Sequence, residues 1–212
     1  MNRLVLWFVK LTGFPVQLIY FRIKIYYEDK TKQNRKIKGG ALIVSNHRSL
    51  LDFPLILYTF MRRSIRTLVS EIMYKKGKVM AWFLNKIGCI RVDRDTYDFS
   101  FTSKMNKCLK KGQVGLVFPE SRLPRADEND FLDFKPSFIF MALESGVPII
   151  PVYVNGEYGN SRRNKKERAK IVIGKKIDLR ELYDDKLDER QNIEYLCNYV
   201  KDYIKNLKQL IS

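Results

Sequence analysis

His47 is the only histidine in 212 residues. It stands in a polar turn, Ser45-Asn46-His47-Arg48-Ser49, between two apolar runs. Ala41-Leu42-Ile43-Val44 precedes the turn, and Leu50-Leu51 and Phe53-Pro54-Leu55-Ile56-Leu57 follow it. That pattern predicts a buried strand, a short turn and a helix over residues 49–60. Polar turns at strand ends are where α/β folds place their chemistry. Asp52 follows His47 by five residues, in the first turn of the predicted helix. A carboxylate at that spacing can accept a hydrogen bond from the imidazole. Such a bond fixes the tautomer and stabilises the imidazolium, which is how a general-base histidine is held. The same residues fit a second reading, with Ser49 as N-cap and Asp52 at N3 of a capping box, so that the carboxylate serves the helix instead. Taken by themselves, they leave both readings open.

The elements that must position this turn are legible as an alternation. Half-buried strands are predicted at 21–26 and 89–94, and buried strands at 65–69, 114–118, 147–154 and 171–174. Helical spacing of apolar residues marks 78–87, closed by Gly88, and 101–109, closed by Gly112. Pro136 fits position N1 of a helix ending at Ser145, with Gly146 at C′. Ile193, Leu196, Cys197, Val200, Ile204, Leu207 and Ile211 form the apolar stripe of a final helix. The expected fold is a single α/β domain, with a mostly parallel or mixed sheet flanked by helices.

Four stretches of this alternation, in order, resemble the motifs of the glycerolipid acyltransferase family, which includes the 1-acyl-glycerol-3-phosphate acyltransferases. Asn46-His47-(four residues)-Asp52 resembles the first motif. Gly88 followed by Cys89-Ile90-Arg91-Val92-Asp93-Arg94 resembles the second, which ends in an arginine. Phe118-Pro119-Glu120-Ser121-Arg122 resembles the third, with Ser121 standing where the family has glycine. Val147-Pro148-Ile149-Ile150-Pro151-Val152 resembles the fourth. The resemblance implies the family's acyltransferase fold, with His47 as general base and Asp52 holding its ring. It places Arg94 and Arg122, with Arg48, on the phosphate of the acceptor, Glu120 orienting Arg122, and Asn46 and Ser121 beside them. A backbone N–H near the His47 turn is expected to stabilise the tetrahedral oxyanion. The implied donor is acyl-CoA or acyl carrier protein, and the implied acceptor a lysophospholipid, with 1-acyl-glycerol-3-phosphate giving phosphatidic acid. No metal and no bound cofactor are implied. At Ser121 the departure matters physically, because glycine admits a positive φ that serine adopts only at a cost.

Composition narrows the partners. Lys and Arg number 40 against 23 Asp and Glu, a formal charge of +17, which favours an anionic membrane face, a phosphorylated substrate or nucleic acid. Residues 162–170 carry six basic side chains in nine and read as a solvated basic loop. A non-catalytic basic module would explain the charge but not the ordered motifs, so no nucleic acid is expected. Another lysophospholipid remains the rival acceptor. Three scattered cysteines, Cys89, Cys108 and Cys197, suit a reducing cytoplasm and form no metal-type pair. No Gly-x-Ser-x-Gly elbow, P-loop or dinucleotide fingerprint occurs.

Residues 1–27 are dense in large apolar and aromatic side chains, interrupted by Lys10, Arg22 and Lys24. The longest uncharged run is eleven residues, from Leu11 to Phe21, where a bilayer-spanning helix needs about 20. Gly13 and Pro15 are expected to bend or break a helix there. The segment therefore reads as a monotopic membrane-interface element on the cytoplasmic face, with Trp7 and the cations at headgroup level. Residues 28–212 read as the acyltransferase domain.

Overall fold

The computed structural model describes residues 1–93, 99–125, 127–128, 130–156 and 168–211, without the side chain of Leu18. Arg94 and most of the predicted basic loop lie outside the described residues.

Among the described residues seven strands form one sheet: β1 (Lys24–Tyr27), β2 (Ala41–Ser45), β3 (Ile65–Ser70), β4 (Ile90–Val92), β5 (Val114–Val117), β6 (Ile149–Val154) and β7 (Lys170–Ile173). Their order across the sheet is β1-β7-β6-β2-β5-β3-β4. Every neighbouring pair is parallel except β6 with β7. The sheet is thus mixed, with β2 at its centre and buried along its whole length. A strand covered on both faces must be apolar throughout, and Ala41-Leu42-Ile43-Val44 is.

Among the described residues seven α-helices cover the two faces: α1 (Arg3–Val16), α2 (Asp52–Thr59), α3 (Glu71–Lys75), α4 (Lys78–Ile87), α5 (Ser100–Lys110), α6 (Ser137–Ser145) and α7 (Glu189–Leu207). Side chains of α5, α6 and α7 pack into one apolar core, and those of α1, α2 and α4 into another on the opposite side of the sheet. Helix α2 begins at Asp52, three residues later than the predicted start. Pro136 is the N-cap of α6, one residue short of the predicted position. Gly88 and Gly146 end α4 and α6 in the left-handed conformation, φ 94° and 65°, as expected of C′ glycines.

Of the expectation that Gly13 and Pro15 bend or break the first helix, the break is corrected by the structure. Helix α1 runs through both, and a π-helical turn, Gln17–Phe21, extends it. Pro15 removes one N–H from the helical ladder, but contacts from outside hold the segment. Tyr58 of α2 donates its hydroxyl to the Val9 carbonyl at 2.8 Å. A Cβ at Gly13 would stand 1.8 Å from that hydroxyl oxygen, so the glycine is the notch that admits Tyr58. Lys10 is 2% exposed and donates to the carbonyls of Met61 and Arg63 at 2.7 and 2.6 Å. It is an internal tether rather than a headgroup cation, and burial lowers its pKa to about 8. The helical run Arg3–Phe21 is long and apolar enough to cross a membrane by length and composition.

Candidate functional site

Strands β2, β3, β4, β5 and β6 run parallel, so their carboxyl ends share one edge of the sheet. The histidine turn leaves β2 there, and Phe118-Pro119-Glu120-Ser121 leaves β5 beside it. That edge is where an open α/β sheet forms a crevice.

His47 Nδ1 lies 2.9 Å from Asp52 Oδ2. The same oxygen accepts the backbone N–H of Arg48 at 2.7 Å and of Ser49 at 2.8 Å. Asp52 is fully buried at the first position of α2, where the helix dipole also favours a carboxylate. A carboxylate only accepts, so the ring proton belongs on Nδ1 and the other ring nitrogen, Nε2, is the one that can take a proton. The capping box does not form as expected, because Leu51 and not Ser49 is the N-cap of α2 and no side chain caps it; one Asp52 oxygen instead holds both the imidazole and the backbone entering the helix.

Glu120 locks the second motif-bearing turn to the first. Its Oε1 accepts the His47 backbone N–H at 2.8 Å, and its Oε2 accepts that of Leu132 at 3.1 Å. Burial pushes its pKa up, against the pull of those two N–H groups and of Arg48 and His47. Asn46 works in the same way. Its carboxamide both donates to the Val154 carbonyl, at 2.9 Å, and accepts the Val154 N–H, at 2.8 Å, clamping the ends of β2 and β6 together. The hydrogen bonds of Asn46 and Glu120 thus go to backbone groups, and the hydrogen-bonded partner of the Arg122 guanidinium is Glu128 rather than Glu120. Nor can the turn supply the expected oxyanion donor from His47, Arg48 or Ser49, because all three N–H groups are engaged by carboxylates.

The Phe118 ring stacks on His47, with centroids 4.3 Å apart and planes at 21°. This contact fixes the imidazole plane. Nothing in the local sequence marks Phe118 for this role beyond its place before Pro119.

His47 lies on the wall of a cavity of about 850 Å³. Phe53, Leu68, Leu84, Phe101 and Phe118 make that cavity mostly apolar, while Ser121, Arg122 and Lys135 supply polar groups. Arg122 makes a two-point pair with Glu128, at 2.6 Å for each contact, and this pair lowers the Glu128 pKa to about 2. Lys135 was not readable as a site residue, because a loop brings it back from 13 positions beyond Arg122 and its N–H donates to the Pro119 carbonyl at 2.9 Å. Arg48 points its guanidinium at the Asp130 carbonyl, 3.2 Å away, and does not line the cavity. Among the described residues, no group of three or more His, Cys, Asp or Glu side chains could hold a metal ion.

Ser121 adopts φ 63°, so serine here keeps the left-handed backbone that glycine would take without strain. Ser121→Gly is expected to raise stability by about 0.5–1 kcal/mol, because the left-handed conformation costs an L-residue roughly 1–2 kcal/mol and part of the gain is offset by glycine's freer unfolded chain. Urea unfolding of the variant checks this, and a loss of stability would show that the Ser121 hydroxyl, 3.3 Å from the Pro119 carbonyl, outweighs the strain.

Fold and turn define a class: α/β proteins that set a histidine–carboxylate pair at the carboxyl edge of a parallel sheet, against an apolar cavity. Comparison with known proteins supplies the family. A model of the family described as Acyltransferase matches residues 22–155, and the chain belongs to that family. It is 30% identical over 135 residues to a probable 1-acyl-sn-glycerol-3-phosphate acyltransferase of Mycoplasma genitalium, covering 61% of this chain and 49% of that protein. It is 24% identical over 145 residues to 1-acyl-sn-glycerol-3-phosphate acyltransferase beta of Homo sapiens, covering 68% and 51%. The matches thus span about half the length of these relatives. The fold is similar to the crystal structure of the 1-acyl-sn-glycerophosphate (LPA) acyltransferase PlsC from Thermotoga maritima, with a TM-score of 0.66 at 20% identity over 96% of this chain and 79% of that one.

Proposed function

We propose that the chain moves a fatty acyl group from a thioester donor, acyl-CoA or acyl carrier protein, to the free hydroxyl of 1-acyl-glycerol-3-phosphate, giving phosphatidic acid. The observation that carries this reading is the His47–Asp52 pair opening on a mostly apolar cavity with Arg122 and Lys135 among its polar groups. His47 Nε2 takes the hydroxyl proton as the acceptor oxygen attacks the thioester carbonyl. Collapse of the tetrahedral intermediate breaks the carbon–sulfur bond, and the imidazolium returns the proton to the departing sulfur. Asp52 holds the ring and stabilises its protonated form. The apolar walls take acyl chain, and Arg122 and Lys135 take the phosphate, a dianion able to compete with Glu128 for the guanidinium fork. Arg122→Ala should raise the acceptor KM about 10- to 100-fold, the worth of one charged hydrogen bond, while leaving the donor KM near its wild-type value. Equal effects on both substrates would place the phosphate elsewhere.

A lipid acceptor requires the cavity to reach a bilayer. The outward face of α1 presents Leu4, Trp7, Phe8 and Leu11, with Trp7 57% and Leu11 69% exposed, and α4 adds Val79 and Trp82. In this reading residues 1–27 are the interface segment, residues 28–212 are the acyltransferase domain, and the protein lies on the cytoplasmic leaflet without crossing it. The docked inner face of α1, with Leu6 and Lys10 buried, supports a helix that stays on the domain. Apolar insertion and attraction to anionic headgroups act together, and salt screens only the second. High salt should weaken binding to anionic vesicles without abolishing it, and replacing Trp7, Phe8 and Leu11 together by serine should remove the remainder. Wild-type protein that ignores such vesicles at low salt, or a loop protected from protease on their far side, would contradict this.

A further inference from the structure

Helix α5 carries Lys104, Lys107 and Lys110, with Lys111 at its C-cap, and contains no acidic residue. All four lysines are exposed, while Met105, Asn106 and Leu109 face the core. Lys110 lies 3.9 Å from Glu144. Among the described residues Lys104, Lys107 and Lys111 make no ion pair. Cations in a last turn complement the helix dipole, but that does not account for Lys104 or for the lack of acids in the first turn. Lysines three and four residues apart also repel one another and destabilise the helix. Helix α7, in the same layer, mixes acids and bases along its length.

Position gives this ridge its meaning. Phe101 and Thr102, at the start of α5, line the cavity that holds His47, and Lys104 follows about 3 Å along the helix axis. The lysines then continue for roughly 10 Å to Lys111. Helix α5 belongs to the layer of α6 and α7, while the exposed apolar residues of α1 and α4 belong to the layer on the other side of the sheet. The ridge therefore projects from the face opposite the one proposed to meet lipid.

We propose that the exposed face of α5 is the docking surface for an acidic carrier protein that presents the acyl group as a thioester on a flexible arm. The proposal rests on the acyl-transfer reading and selects the donor. A row of lysines that starts two residues after the cavity-lining Thr102 and runs along α5 matches an acidic surface of protein size, and a carrier docked there could thread its arm past Phe101 toward His47. Charge complementarity of this kind chiefly raises the rate of encounter and is weakened by salt.

The test compares wild type with the variant Lys104→Glu/Lys107→Glu/Lys111→Glu, using palmitoyl-loaded acyl carrier protein and palmitoyl-CoA as donors. Its thermal melting is measured alongside, and the single variant Lys104→Glu replaces it if the triple variant unfolds. Reversing the charges should lower kcat/KM with the carrier protein by about ten-fold or more and flatten its salt dependence, while kcat/KM with palmitoyl-CoA stays within about two-fold. Equal losses with both donors, no loss with either, or a wild type that uses only palmitoyl-CoA would overturn the proposal. A wild type inactive with both donors would instead overturn the acyl-transfer reading beneath it.

Discussion

His47→Ala should abolish acyl transfer while leaving the fold in place. The imidazole is the only group on the cavity wall that pairs a proton-accepting nitrogen with a buried carboxylate among the described residues. General-base catalysis contributes about 10² to 10⁴ in rate, so the variant should fall by at least that range. Its fold should persist because the side chain makes one polar contact, to Asp52, while the His47 backbone N–H still donates to Glu120. Loss should appear in kcat, with KM values little changed, since the ring acts in the transition state rather than in ground-state binding. Turnover near the wild-type rate would sink the mechanism.

Asp52→Asn is expected to fail in two ways at once, and this separates the structure from either sequence-level reading alone. A carboxamide oxygen cannot replace the charge that accepts Nδ1–H and the N–H groups of Arg48 and Ser49 on one atom. If the amide NH₂ turns toward the ring instead, it forces the other tautomer and removes the base from Nε2. Activity should drop by about 10² to 10⁴. Stability should drop by roughly 1–3 kcal/mol, because buried donors lose a charged partner. A variant that lost stability yet kept its activity would mean that Asp52 serves only the helix. One that lost activity with unchanged stability would mean that the turn is held by other contacts.

How much of this was legible in the sequence follows the range of each interaction. The His47–Asp52 pair is readable because it spans five residues at a strand–helix junction, where spacing nearly fixes geometry. The strands are readable because β2, β5 and β6 are buried on both faces and must be apolar. The glycines after α4 and α6 mark positions that need a positive φ. Ser121 shows that the same backbone can persist without glycine, a cost visible only once φ is known.

What the sequence hides is contact between distant segments. Asn46 meets Val154 across 108 positions, and Glu120 meets His47 across 73. Both side chains look like substrate ligands when read locally, and the backbone contacts they make are visible only in the fold. The continuity of α1 was hidden for the same reason. Propensity argues against a helix through Gly13 and Pro15, and contacts supplied by the domain, among them those from Tyr58, Met61 and Arg63, make that path favourable.

The central claim, acyl transfer to a phosphate-bearing lysolipid, is tested most directly by product formation with the purified wild-type chain. The measurement supplies palmitoyl-CoA and palmitoyl-loaded carrier protein in turn, with 1-acyl-glycerol-3-phosphate or with the same monoacylglycerol lacking its phosphate. Phosphatidic acid should form with at least one donor, and the phosphate-free acceptor should react far more slowly for want of Arg122 and Lys135 as partners. No acylated product from any combination, or equal rates with and without the phosphate, would contradict the account.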